Sequence, residues 1–287
     1  MIEFLSGIVE FITSLAKFDY AKIQEIFNLA ALHPNGSNLT DGVSFPAASL
    51  WETAQNVSLK AVAPVAVTVC GIFFAMELFH LLSRNQTSGI DMFYSIIMTL
   101  LKMAICVVVV KNMTGIISLC FSLSTEVANN IGKMITIEEM SSINTEELVT
   151  EAMKDADLVN KFFAGVTAWF CNVVINIALT LASIVCQLRF IEIYIFVAVA
   201  PVPFCTFCSS EYKSIGVSFL KRLLALGLQG AFIMIAVYFF MTIIGAIQLE
   251  SVGDIFTLCW TYVGFSLLLV IAIFQTGGWA KSLLQVN

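Results

Sequence analysis

Charge is scarce in this chain. Asp, Glu, Lys and Arg make up 12% of its 287 residues, where a soluble domain carries about 25%. Half that density cannot cover a water-facing surface, which excludes an ordinary soluble globule and leaves a chain that must face lipid. Histidine is scarcer still: His33 and His80 are the only two, far apart in sequence, so no histidine-based metal or acid–base cluster is readable. The 14 Lys and Arg residues form no basic block, which argues against a charged nucleic-acid surface, because phosphate neutralisation needs clustered cations. There is no GxxxxGK[ST] loop, no HExxH, no GxSxG and no internal repeat, so the usual phosphate cradle, zinc-protease helix and nucleophile elbow are excluded. The chain is therefore read as not an enzyme, and any ATPase that drives it is a separate polypeptide.

What is present is apolar: 59% hydrophobic residues and 24 phenylalanines, with a mean hydropathy of +0.92. A hydrocarbon core of ~30 Å takes ~20 apolar residues. Six runs meet that need: 58–82, 91–110, 162–188, 190–207, 217–247 and 255–275. The expected class is all-α, a polytopic transmembrane protein of about six spans. Four sections are expected: 1–57, 58–111, 112–161 and 162–287. Ahead of the spans, Ile2, Leu5, Ile8, Val9, Ile12 and Leu15 recur at helical spacing, an amphipathic helix over 1–32 that lies in the interface plane or packs on the protein's own bundle. The acidic start at Glu3 does not read as a signal peptide. His33-Pro34-Asn35-Gly36 is a turn, the segment to Gln55 a polar connection, and Trp51 suits a bilayer interface. Residues 114–131 are too polar for a span and read as a short interfacial or re-entrant helix. Residues 132–160 concentrate Glu138, Glu139, Glu146, Glu147, Glu151, Asp155 and Asp157, with two capping-box patterns at Thr136 and Asn144. That is either a solvated helical segment or a docking surface.

The eight cysteines follow no disulfide framework. Cys205-Thr206-Phe207-Cys208 is a CxxC without a second pair to complete a zinc site, and is taken as small apolar residues. Two charges lie inside the early spans, Glu77 and Lys102. At 1.5 Å per residue Glu77 is ~9 Å from its connecting turn and Lys102 ~17 Å from the start of its own span, which weakens the idea that they pair.

The stretch 186–231 organises the rest. Arg189 and Glu192 stand three residues apart, close enough to pair with each other on a helical face or with a neighbouring helix. Pro201 and Pro203 each lack an N–H and crowd the carbonyl four residues back, and each pushes its predecessor, Ala200 or Val202, out of the helical region. The helix is expected to break over 200–204, which in lipid requires protein or water to satisfy the freed groups. Beyond it, Gly227-x-x-x-Ala231 offers a small-residue face to another helix. Arg222 and Gln229, seven apart, share a face, with Gly230 leaving room beside the amide. Gln229 is expected to reach the carbonyls freed by the prolines.

The order Arg189-x-x-Glu192, then Ala200-Pro201-Val202-Pro203-Phe204-Cys205-Thr206-Phe207, then Arg222 to Gly230 ending in Gln-Gly resembles TrbL-type proteins. These are polytopic membrane components of conjugative type IV secretion systems, particularly those on mobile elements of Gram-positive bacteria. The resemblance implies a structural or channel subunit of such an apparatus in the bacterial cell membrane. It implies association with copies of itself and with other secretion subunits and ATPases, no cofactor, and phospholipid between protomers. It also places the N-terminus and central loop outside the cell, whereas Lys213, Lys221 and Arg222 in one short connection place both termini inside by the positive-inside rule. The reading of a different class is a secondary transporter, motivated by the broken helix and by Glu77, Lys102, Arg189 and Glu192 within the apolar runs.

Overall fold

In the computed structural model, residues 20–37, 45–84, 89–134, 158–250 and 255–285 are described. The acidic run at 135–157 and the first part of the amphipathic segment lie outside them. Every regular element among the described residues is helical: α1 (Tyr20–Ala31), α2 (Ala47–Val57), α3 (Ala63–Arg84), α4 (Gly89–Lys111), α5 (Met113–Met134), α6 (Leu158–Val199), α7 (Pro201–Cys205), α8 (Lys213–Glu250) and α9 (Ile255–Leu283).

Among the described residues, five helices are long and apolar enough to cross a membrane: Ala47–Ser83, Phe93–Lys111, Trp169–Val199, Lys213–Ile243 and Trp260–Leu283. The runs 162–188 and 190–207 share one of them. No proline or glycine separates Gly165 from Pro201, so nothing interrupts α6, which runs for 42 residues, or ~63 Å. Helix α5 spans 22 residues and is not among the five, in keeping with its polar sequence.

The segment expected as a polar connection is also helical. Helix α2 passes through a π turn, Ser58–Val62, into α3. The widened turn lies just ahead of Pro64, which cannot give the Lys60 carbonyl the N–H of an α-helical bond. Trp51 is buried within the protein rather than placed at a lipid interface. Exposed tryptophans sit elsewhere: Trp169 and Trp260 open the apolar stretches of α6 and α9, and Trp279 lies near the end of α9.

Helix α8 is the hub. It packs on α5, α9, α1 and α6, and 56% of its apolar window is covered by protein. Ala225, Leu226, Gly227, Gln229, Gly230, Ala231, Ile233 and Met234 are all buried, so it is enclosed on most of its circumference. The α3–α4 hairpin is peripheral: only 11% and 17% of the two windows are covered. The described part of the amphipathic segment, α1, buries Ile23, Ile26 and Leu29 against α6 and α8. It packs on the protein's own bundle. Lys22, near the start of the same face, donates to Asn176 Oδ1 of α6 at 3.0 Å.

Candidate functional site at the broken helix

Pro201 and Pro203 stop α6 at Val199, but the interruption is narrower than the sequence suggests. Ala200 keeps right-handed helical angles (φ −48°, ψ −36°), and α7 restarts at once with Pro201 in its first position. Within a helix's first turn an N–H has no intrahelical acceptor, so a proline there removes nothing. Both prolines occupy that first turn. Ala200 N donates to Val197 O at 3.4 Å and Phe204 N to Ala200 O at 3.2 Å. A 3₁₀ turn, Thr206–Cys208, follows, and the chain turns extended at Ser209 (φ −100°, ψ 135°). Thr206 Oγ1 donates to Pro203 O at 2.7 Å.

Helix α8 does pack against this break, through residues other than Gln229. A Cβ on Gly216 would sit 2.8 Å from Phe207 and 3.0 Å from Pro203 O. Phe219 meets Phe204 edge-on with ring centroids 6.0 Å apart and lies 5.7 Å from Phe196. The Arg222 guanidinium carbon lies 5.1 Å from the centre of the Phe196 ring. Gln229 is ten residues beyond Phe219, which packs on Phe196, and so stands ~15 Å further along the axis, too far to reach the Val197 and Val199 carbonyls. Its amide lies instead against α9, where a Cβ on Gly277 would come 3.3 Å from Nε2.

Gly230 leaves room for a different neighbour. A Cβ there would overlap Arg189 Nη1 and come within 2.6 Å of the Ala30 carbonyl oxygen. Arg189 is 5% exposed, donates from Nη1 to Ala30 O at 3.4 Å and holds its guanidinium 4.6 Å from the Phe190 ring centre. Its Nε has no hydrogen-bond partner among the described residues. A cavity of about 10 Å³, near the lower limit for one water, lies beside it, lined by Ser124, Thr125 and Gly227 among others. Arg189 thus binds a neighbouring helix, one of the two arrangements expected of it. Glu192, partly buried, makes no ion pair with it. Three residues place it about 60° round the helix from Arg189, away from the gap that Gly230 leaves.

The small-residue face at Gly227 and Ala231 is covered within the protomer. A Cβ on Gly227 would overlap Ser124 Oγ and lie 3.4 Å from Phe121, both on α5. Glu77 accepts from the Ser210 hydroxyl at 2.5 Å and from its backbone N at 3.4 Å, tying α3 to the turn after the break. His80 approaches Glu211 to 3.7 Å there. Lys102 is exposed on α4 and does not pair with Glu77. Glu77, Lys102, Arg189 and Glu192 therefore do not converge.

Two features escaped the sequence reading. Tyr194 is buried near the end of α6, and its one hydroxyl proton is shared between Pro34 O at 3.0 Å and Ala47 O at 3.3 Å. It fastens the turn between α1 and α2. A tyrosine in an otherwise apolar run is the available signal, because a buried hydroxyl needs a partner. Cys208 of the CxxC meets Cys70 and Cys106 in one buried group. Cys70 and Cys106 lie at similar distances on either side of the α3–α4 turn, so a hairpin brings them level.

The architecture is that of a polytopic helical membrane protein with an interrupted helix on its central hub. The chain matches the TrbL/VirB6 plasmid conjugal transfer like protein family over residues 41–201, more than half its length, and belongs to that family. The match covers α2 to α6 and ends at Pro201, so the Arg222–Gly230 part of the motif lies beyond it. No curated protein matches the chain. The family is one of conjugal transfer components, and membrane subunits of a secretion system are the partners that membership implies.

Proposed function

We propose that this chain is a structural and channel subunit of a conjugative type IV secretion apparatus. In this reading it assembles in the bacterial cell membrane with copies of itself and with other secretion subunits to support DNA–protein transfer. The observation that carries the reading is the family match across α2–α6. The largely uncovered α3–α4 hairpin supports it, since its apolar faces require lipid or a neighbouring subunit against them. Association through the small-residue face of α8 is not part of the proposal, because α5 occupies that face. The transporter reading loses its motivation with the separation of the four ionisable residues. Of the two carbonyls four residues before the prolines, that of Val197 accepts from Ala200 N at 3.4 Å and is not open to a substrate.

An in-frame deletion in donor cells, complemented in trans, tests the function. Transfer frequency is expected to fall to background and return with the wild-type chain; undiminished transfer by the deletion strain overturns it. Light scattering of the detergent-solubilised protein, corrected for detergent and lipid, is expected to exceed the 31.4 kDa of one chain. A clean monomer in several mild detergents removes self-association.

A further inference from the structure

Cys70 on α3, Cys106 on α4 and Cys208 at the end of the 3₁₀ turn come from three distant parts of the sequence. Their sulfurs all lie within 4.8 Å of one another. Cys70 Sγ is 3.2 Å from Cys208 Sγ and 4.0 Å from Cys106 Sγ. The residues are 1%, 4% and 3% exposed, respectively, for Cys70, Cys208 and Cys106. A fourth thiol nearby, Cys205, is directed elsewhere: it donates to Ala66 O at 2.9 Å, whereas Cys106 makes only longer contacts with Phe204 O and Cys205 O, at 3.5 and 3.7 Å. We infer that Cys70, Cys106 and Cys208 form a binding site for a soft, thiophilic monovalent metal ion of the Cu(I) type.

The geometry suits three-coordination. With metal–sulfur distances of about 2.3 Å, three sulfurs around an ion in one plane stand about 4 Å apart; here two pairs stand at 3.2 and 4.0 Å and the third within 4.8 Å. Thiolates select soft ions. Structural zinc closes a tetrahedron of four ligands, and here the fourth nearby sulfur is turned to a backbone carbonyl and the group is shut off from water. Coordination displaces the thiol protons into bulk water; no electron is transferred. The bound ion would join α3, α4 and the turn after the prolines at one point. Those are the elements through which the peripheral hairpin meets the broken helix, so occupancy would fix the hairpin to the hub.

The test uses the full chain, purified in detergent, reduced and kept free of oxygen. It is offered Cu(I) from a chelator of known affinity, desalted and assayed for metal. One copper per chain is expected for the wild type and for Cys120→Ser. Background copper is expected for Cys70→Ser, Cys106→Ser and Cys208→Ser, with a higher thermal midpoint on loading seen only where copper is retained. X-ray absorption of the loaded wild type should show a first shell of three sulfurs, which decides the matter even if a variant folds poorly. Four results overturn the proposal: no copper retained by the wild type; copper retained alike by the three serine variants; zinc retained in preference when both ions are offered; or a Cys70–Cys208 disulfide in protein whose thiols are blocked at lysis.

Discussion

Replacing Gly230 by alanine adds one methyl group at the tightest point between α1, α6 and α8. The new Cβ would overlap Arg189 Nη1 and come within 2.6 Å of Ala30 O. The guanidinium can swing away, but the carbonyl belongs to the backbone of α1 and moves only with that helix. Restoring an ordinary contact requires α1 and α8 to part by about 0.6–0.8 Å, and overpacking of this kind costs about 1–3 kcal/mol. Arg189 would also lose its bond to Ala30, and a hydrogen bond to a charged group contributes about 1.5–3 kcal/mol. Against this, alanine in place of helical glycine returns about 1 kcal/mol. The expected net loss is about 2–5 kcal/mol. By the scaling for chains of this size, that lowers the thermal midpoint by about 4–20 °C. Tryptophan fluorescence during heating in mild detergent reads it. Gly264→Ala on α9 is the control, because nothing lies within 4 Å of its Cβ position; its midpoint should hold or rise slightly. A Gly230→Ala protein as stable as that control would refute the reasoning that Gly230 exists to admit Arg189 and the α1 carbonyl.

Three further outcomes are expected. Gly216→Ala should cost about 1–3 kcal/mol, less than the Gly230 change, since the closest obstacle is the Phe207 ring at 2.8 Å; a midpoint unchanged from wild type would contradict the close packing of α8 on the break. Tyr194→Phe removes the donor to Pro34 O and Ala47 O; limited proteolysis should cut the α1–α2 turn faster, with a stability loss of about 1 kcal/mol, and equal cutting rates would count against the tether. Glu77→Ala should loosen the turn at Ser210 and Lys102→Ala should leave it unaffected. Hydrogen exchange at 209–212 separates the two, and matching profiles would mean that the Glu77 contact does not order that turn.

The features legible in the sequence were those set by length, apolarity and proline. The helical class, the hairpin at 58–110, the end of a helix before Pro201 and the need of Arg189 for a partner all follow from such local chemistry. The errors came from distance. Sharing a face with Arg222 said nothing about how far Gln229 stood from the prolines along α8. Nor did sequence proximity to Glu192 give the partner of Arg189, because the gap that admits its guanidinium is a missing side chain on another helix. Ala200 stayed helical because two prolines in a new first turn remove no bond that the helix would have made. The thiol group was illegible for a related reason: three cysteines met only when the hairpin and the turn were placed side by side.

The unequal enclosure of the helices has a consequence for biogenesis. The α3–α4 hairpin is so little covered by protein that it can settle in lipid as soon as it leaves the ribosome, its backbone bonds complete within each helix. Helix α6 cannot finish in the same way. The Arg189 side chain emerges while the space that admits it, beside Gly230, is still to be translated, and α8 in turn lacks one of its walls until α9 follows. The later helices must therefore be held near the insertion machinery and released together, whereas the hairpin can depart early.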